Sequence, residues 1–159
     1  MGLLDVAQSL IGMPYSLGGP LGRSPGTASA CDCSGFVSYV FGQNGISLTA
    51  YTDTMYGQTQ PDQANPPPFG DLLFYQYADP AQPGTQFPHV AIALGNGQTI
   101  DCKYPDGVSI HPPLNLPYQV RSVPGFSGDG SVSGGPPWLL IGVGGVLFLL
   151  LFGRRNPRS

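Results

Sequence analysis

Between residues 71 and 121 the chain breaks into short apolar runs, among them Leu72-Leu73-Phe74-Tyr75, Val90-Ala91-Ile92-Ala93-Leu94 and Val108-Ser109-Ile110, separated by Gly, Pro and Asn. Before residue 44 the pattern differs: Leu3, Val6, Ala7, Leu10 and Ile11 recur at helical spacing, and Phe36-Val37-Ser38-Tyr39-Val40-Phe41 follows as a second apolar segment. Helices first and turn-linked strands after admit few solutions, and the pattern predicts an α+β fold with helices packed on an antiparallel sheet. The expected elements are a helix over 3–12, a long loop to 30, a helix over 33–43 stopped by Gly45, and a helical turn at Thr52 to Tyr56. A loop over 61–70 and strands near 71–76, 88–94, 98–103, 107–110 and 118–121 complete the reading.

Composition narrows what such a domain can do. Glycine (24) and proline (18) are abundant and cluster in 13–29, 61–70 and 122–137, which reads as long loops and a linker around a packed domain. All nine acidic residues are aspartates before residue 130; they face Arg23, Lys103 and Arg121 there, because the other three cations lie in the last six positions. An acidic domain of this kind excludes a nucleic-acid partner, whose phosphates demand a basic face. The segment Met1 to Met13 has no basic start and carries Asp5 inside its apolar pattern, so it reads as an amphipathic helix and not as a cleavable signal.

The run Trp138 to Gly153 contains no charged residue and is followed by Arg154-Arg155. As a helix it would span about 24 Å, and it is expected to be a short transmembrane helix with Trp138 at one interface and the arginines at the other. The expected organisation is therefore a domain over 1–121, a Gly/Ser/Pro-rich linker over 122–137, a membrane span over 138–153 and a basic tail over 154–159. The positive tail predicts that the domain lies across the membrane from the C-terminus.

Asp32-Cys33-Ser34-Gly35 opens the second helical segment. Asp32 suits the N-cap, and a thiol in the first turn lies where unpaired amide N–H groups and the helix dipole favour thiolate over thiol. The competing reading of Cys33 is a small buried hydrophobe. His89 stands at the start of a strand, and Asp101 lies within the next one, where a carboxylate needs a partner. If Gly95-Asn96-Gly97 is a three-residue loop, Leu94 pairs with Gln98 and Ala91 with Asp101, which makes His89 and Asp101 diagonal neighbours on one face; a two-residue turn would reverse the parity. His111, followed by Pro112-Pro113, is a poorer candidate base. Cys31 and Cys102 leave a disulfide open. A metal site from Cys31, Cys33, His89 and Cys102 would lack the usual Cys-x2-Cys spacing, and neither metal nor cofactor is expected.

Four segments, in order, resemble the NlpC family of papain-like cell-wall endopeptidases: Leu10 to Gly19 (LIGMPYSLGG), Asp32 to Val37 (DCSGFV), Phe69 to Phe74 (FGDLLF) and His89 to Ile92 (HVAI). The resemblance implies a papain-like fold and hydrolysis of peptidoglycan stem-peptide amides, commonly the D-γ-glutamyl to diamino-acid bond. It implies Cys33 as nucleophile, His89 as its base, Asp101 at the third polar position, where the family often has His, Asn or Gln, and Tyr15 near the oxyanion. Asp32 and Ser34 resemble positions that contact the substrate's amine end. With the C-terminal span, the expectation is a membrane-anchored wall hydrolase, carried by a bacteriophage virion rather than resident in a bacterial envelope. The alternatives are an inactive peptidoglycan-binding or structural module of the same fold, or an amidase or acyltransferase acting on another amide.

Overall fold

The structure, a computed structural model, describes residues 1–24 and 26–128. The expected span 138–153, the tail 154–159 and linker residues 129–137 lie outside the described residues. Among those described, no helix is long and apolar enough to cross a membrane. Three helices, α1 (Leu3–Ser9), α2 (Cys33–Gly42) and α3 (Thr52–Gly57), precede or lead into six strands: β1 (Gln60–Pro61), β2 (Leu72–Tyr75), β3 (His89–Ala93), β4 (Thr99–Lys103), β5 (Gly107–His111) and β6 (Tyr118–Ser122). The strands form one antiparallel sheet in the order β1-β6-β2-β3-β4-β5.

Helix α2 begins where Asp32 accepts the Gly35 N–H at 2.8 Å, satisfying one of the orphan donors of the first turn. It ends where Gly45, at φ 78°, turns the chain back so that the Ile46 N–H reaches the Phe41 carbonyl at 3.0 Å. Its buried face (Phe36, Val37, Val40, Phe41) packs with Leu72, Phe74, Val90, Ile92, Ile100 and Val108 into the main core. Side chains alternate across a sheet, so Leu73, Tyr75, Ala91 and Ala93 form a smaller cluster on the opposite face.

Three expectations are corrected. Helix α1 stops at Ser9 rather than residue 12, because Gly12 donates to the Val108 carbonyl (3.0 Å) and Met13 accepts from Val108 (2.9 Å), drawing that segment onto β5. Gln60–Pro61 is a strand where a loop is predicted, since it pairs with Ser122 and Arg121. Residues 122–126, expected to begin the linker, belong to the packed domain: Val123 is 3 % exposed, and the Phe126 ring meets Phe41 and Phe69 edge to face at 5.6 and 5.8 Å. Burial of those two apolar side chains holds a stretch that its glycines and serines would otherwise release.

Candidate active site

The predicted hairpin register is the one observed. Ile92 pairs with Ile100 and Ala93 with Thr99, Leu94 N–H donates to the Gln98 carbonyl at 2.9 Å, and Gly95 and Gly97 supply positive φ in the three-residue loop. That register sets Asp101 beside Ala91, and β2 sets His89 opposite Tyr75, so His89 and Asp101 share the sheet face that turns away from α2. His89 Nε2 lies 2.7 Å from Asp101 Oδ2, and both residues are buried.

Cys33 enters from the first turn of α2, its Sγ 3.9 Å from the carbonyl oxygen of Pro88, the residue before His89. It is the free cysteine among the described residues. With Nε2 committed to Asp101, Nδ1 is the His89 nitrogen left for the sulfur. Burial works to lower the pKa of His89, but hydrogen bonds to Asp101 and Cys33 and the charges of both outweigh it and hold the imidazole well above its ordinary value. Asp101 moves the other way: burial alone would raise it, and the imidazoles of His111 and His89 keep it below the usual carboxylate range.

His111 is the residue the sequence reading set aside, and the structure brings it in. The β4–β5 register pairs Thr99 with His111, so the side chain joins the face of Asp101, where Nε2 lies 2.8 Å from Oδ1. Its Nδ1 donates to the Pro112 carbonyl at 2.7 Å, and Asp101 holds its pKa above the ordinary value against partial burial. Asp101 thus bridges two imidazoles, one on each oxygen. The signal was available in parity: a three-residue Tyr104-Pro105-Asp106 turn places residues 99, 101, 109 and 111 on one face.

The two other cysteines are joined to each other, Cys31 to Cys102, and neither is left as a thiolate ligand. This bridge fastens the residue two before Cys33 to the residue after Asp101. Tyr15 runs beside Cys31 in a parallel bridge, with Ser16 N–H on the Cys31 carbonyl (2.9 Å) and Cys31 N–H on the Pro14 carbonyl (3.1 Å). Its phenol is pushed up to about 12, by burial first and then by the negative charges of Cys33, Asp32 and Asp79, so it remains a proton donor at neutral pH.

Two hollows adjoin the site, one lined by His89 and the other by Cys33. One, of about 170 Å³, is lined by His89, Tyr15, Tyr77, Asp79, Lys103 and Tyr104 among others. The other, of about 520 Å³, lies on the α2 side and is lined by Cys33, Arg23, Asp32, Ser34 and Tyr51 with residues of α3. Asp32 and Ser34 form a closed network there. Asp32 Oδ1 accepts from Gly35 N–H and the Arg23 guanidinium (2.9 Å), Oδ2 accepts from Gly18 N–H (2.9 Å), and Ser34 Oγ accepts from Arg23 (3.1 Å) and donates to the Ala50 carbonyl (3.0 Å). Gly35 is required beneath it, because a Cβ would strike the Leu21 carbonyl and the Arg23 guanidinium.

A helix-borne thiol, a strand-borne imidazole and a buried carboxylate on a helix-plus-antiparallel-sheet frame define the papain-like class. Residues 12–124 match the NlpC/P60 family, and the chain belongs to it. It is 41 % identical over 107 residues to the probable endopeptidase p60 of Listeria grayi, a match covering 65 % of this chain and 18 % of that protein. The chain thus spans under a fifth of the length of such relatives. An NLP/P60-family protein of Staphylococcus aureus, similar to a lipoprotein, superimposes with TM-score 0.62 at 32 % identity, over 76 % of this chain and 40 % of that one. RipD of Mycobacterium tuberculosis, described as a non-catalytic domain adapted to peptidoglycan binding, shares the fold at 24 % identity and TM-score 0.59, over 76 % and 94 % of the two chains.

Proposed function

We propose that this chain hydrolyses amide bonds in peptidoglycan stem peptides through a Cys33-His89-Asp101 thiol mechanism. The observation that carries the reading is the buried imidazole of His89, in contact with Cys33 on one side and 2.7 Å from Asp101 on the other. The thiolate of Cys33 adds to the scissile carbonyl carbon, and the developing oxyanion takes hydrogen bonds from the Cys33 backbone N–H and the Tyr15 hydroxyl. As the C–N bond breaks, His89 gives its proton to the leaving amine. His89 then accepts a proton from water attacking the thioester, the carboxylate departs, and the Cys33 thiolate is restored with the imidazolium.

The bond we propose is the D-γ-glutamyl to diamino-acid linkage, following the resemblance carried by Tyr15 and the Asp32-Cys33-Ser34 segment. The Cys31–Cys102 bridge supports action outside a reducing cytosol. The uncharged run 138–153 before Arg154-Arg155 supports a membrane anchor, and a bacteriophage particle that opens the wall is the setting we favour.

Digestion of purified sacculi by the full chain in detergent, with mass analysis of the fragments, tests the reading. The wild type is expected to release fragments ending at the glutamyl residue and Cys33→Ala to release none. Sacculus binding without fragments from the wild type would instead assign a binding module, and fragments cut elsewhere would assign another amidase. Detection of the chain in host envelopes but in no viral particle would overturn the phage setting.

A further inference from the structure

We infer that Gln82 holds the N–H of the scissile amide, its side-chain oxygen accepting that hydrogen while His89 protonates the lone pair of the same nitrogen. This rests on the hydrolase reading above. Because His89 gives its proton to the leaving amine, the leaving group lies in the hollow that His89 lines, and the acyl part lies in the hollow that Cys33 lines. Among the described residues Gln82 is the one that lines both, so it stands where the bond joining the two parts must cross.

The loop between β2 and β3 fixes that side chain. Asp79 Oδ1 accepts the Ala81 N–H at 2.9 Å and the Asp79 carbonyl accepts the Gln82 N–H at 3.0 Å, which turns the chain back towards the site. Gln82 Nε2 donates to Asp79 Oδ2 at 2.9 Å and to the Pro88 carbonyl at 3.0 Å. The Pro88 oxygen is also the one that Cys33 Sγ approaches at 3.9 Å, so a single carbonyl ties the Gln82 amide to the nucleophile. Both partners of Nε2 are acceptors, which settles the orientation of the amide and uses both its hydrogens. Oε1 is left with no hydrogen bond among the described residues, on a side chain that is only partly buried. An anchored acceptor with no donor of its own is what a substrate N–H crossing this point requires.

A planar amide nitrogen offers no lone pair to protonate. When Cys33 adds to the carbonyl carbon the nitrogen becomes tetrahedral, its lone pair takes the proton from His89, and its N–H bond turns away from that axis. Oε1 accepts the N–H in this geometry, so the hydrogen bond is stronger in the transition state than in the planar amide. The C–N bond then breaks with its electron pair staying on nitrogen, and the amine leaves carrying both hydrogens. An ester has no N–H at this position and gains nothing from Oε1.

The test compares two substrates of the full chain: the stem peptide whose bond it cuts in sacculi, and the depsipeptide analogue in which oxygen replaces the scissile N–H. For both, kcat/KM reports the acylation of Cys33. Gln82→Met, of similar length and without the amide, is expected to lower kcat/KM about tenfold for the amide and less than about twofold for the ester. Gln82→Asn, whose oxygen is drawn back by one methylene, is expected to lower the amide-to-ester ratio by about threefold or more. A folded Gln82→Met with an unchanged ratio overturns the inference, because a residue that only shapes the loop slows both substrates together. Should Gln82→Met not fold, the ratio for Gln82→Asn decides. If the wild type leaves sacculi uncut, the hydrolase reading fails and this role falls with it, whereas cleavage of both substrates with an unmoved ratio removes the role of Gln82 alone.

Discussion

Two buried aspartates lie on either side of β3, Asp71 opposite Ala93 and Asp101 opposite Ala91, and their surroundings drive them in opposite directions. Asp101, on β4, is wholly inaccessible but has an imidazole on each oxygen, and its carboxylate is held below the usual range. Asp71, just before β2, is 7 % exposed, has an Oδ2 with no hydrogen-bond partner among the described residues and faces the carboxylate of Asp62. Burial, then the hydrogen bond and charge of Asp62, push it up to about 7. Burial by itself therefore says little about whether a carboxylate is a working charge. Partners decide it, and only the Asp101 region has cationic ones.

The sharpest way to break the comparison is to remove the imidazole that makes Asp101 useful. His89→Ala is expected to lower kcat/KM on sacculi by about a thousandfold or more with circular dichroism unchanged, while Asp71→Asn stays within about threefold of wild type. Equal losses in the two variants would show that both sites act only through stability.

Asp101→Asn comes next. It keeps a hydrogen-bonding oxygen for His89 but removes the charge, so kcat is expected to fall by about ten- to a hundredfold. The alkaline limb of the pH–rate profile should also move to lower pH, because the imidazolium loses the partner that holds it above its ordinary value. An alkaline limb that does not move would remove Asp101 from the mechanism.

His111→Gln is a smaller perturbation, expected to reduce kcat about threefold to tenfold. Without the second imidazole the pKa of Asp101 climbs, and the acid limb should shift upward. A pure stability loss with both limbs in place would mean that His111 only packs.

The smallest effect is in stability against pH. A folded-state pKa above the unfolded one means that native Asp71 binds more protons, so its contribution falls as pH rises from about 4 to 7. Asp101 has the opposite sign: its contribution is present above the ordinary carboxylate range and is lost on acidification below it. Chemical denaturation of Asp71→Asn should lose the decline between pH 4 and 7, and retention of that decline would assign it to another group.

The sequence was most informative where local rules and parity suffice. A cap residue before an apolar helical segment located α2 and its thiol, and the pairing of His89 with Asp101 required a three-residue Gly95-Asn96-Gly97 loop over a two-residue turn, which is the loop the structure has. His111 is less legible, because Pro112-Pro113 after it signal a strand end, and its place beside Asp101 depends on the parity of the β4–β5 hairpin. Arg23 carries no local pattern: its partners Gly19, Asp32, Ser34 and Ala50 are gathered by the fold of a long loop. The stretch after β6 is rich in glycine and serine and so resembles a linker in sequence, yet Val123 and Phe126 find a core there.

The sequence by itself determined the α+β order, the helix-borne thiol and the condition under which His89 and Asp101 share a face, because capping and strand alternation act over a few residues. The tertiary structure decided the charge state of Asp101 and Asp71, the Cys31–Cys102 bridge, the second imidazole and the Arg23 seal over Asp32. Each of these depends on which groups from distant segments share a buried volume, and hydrogen bonding and desolvation there are set by neighbours in space.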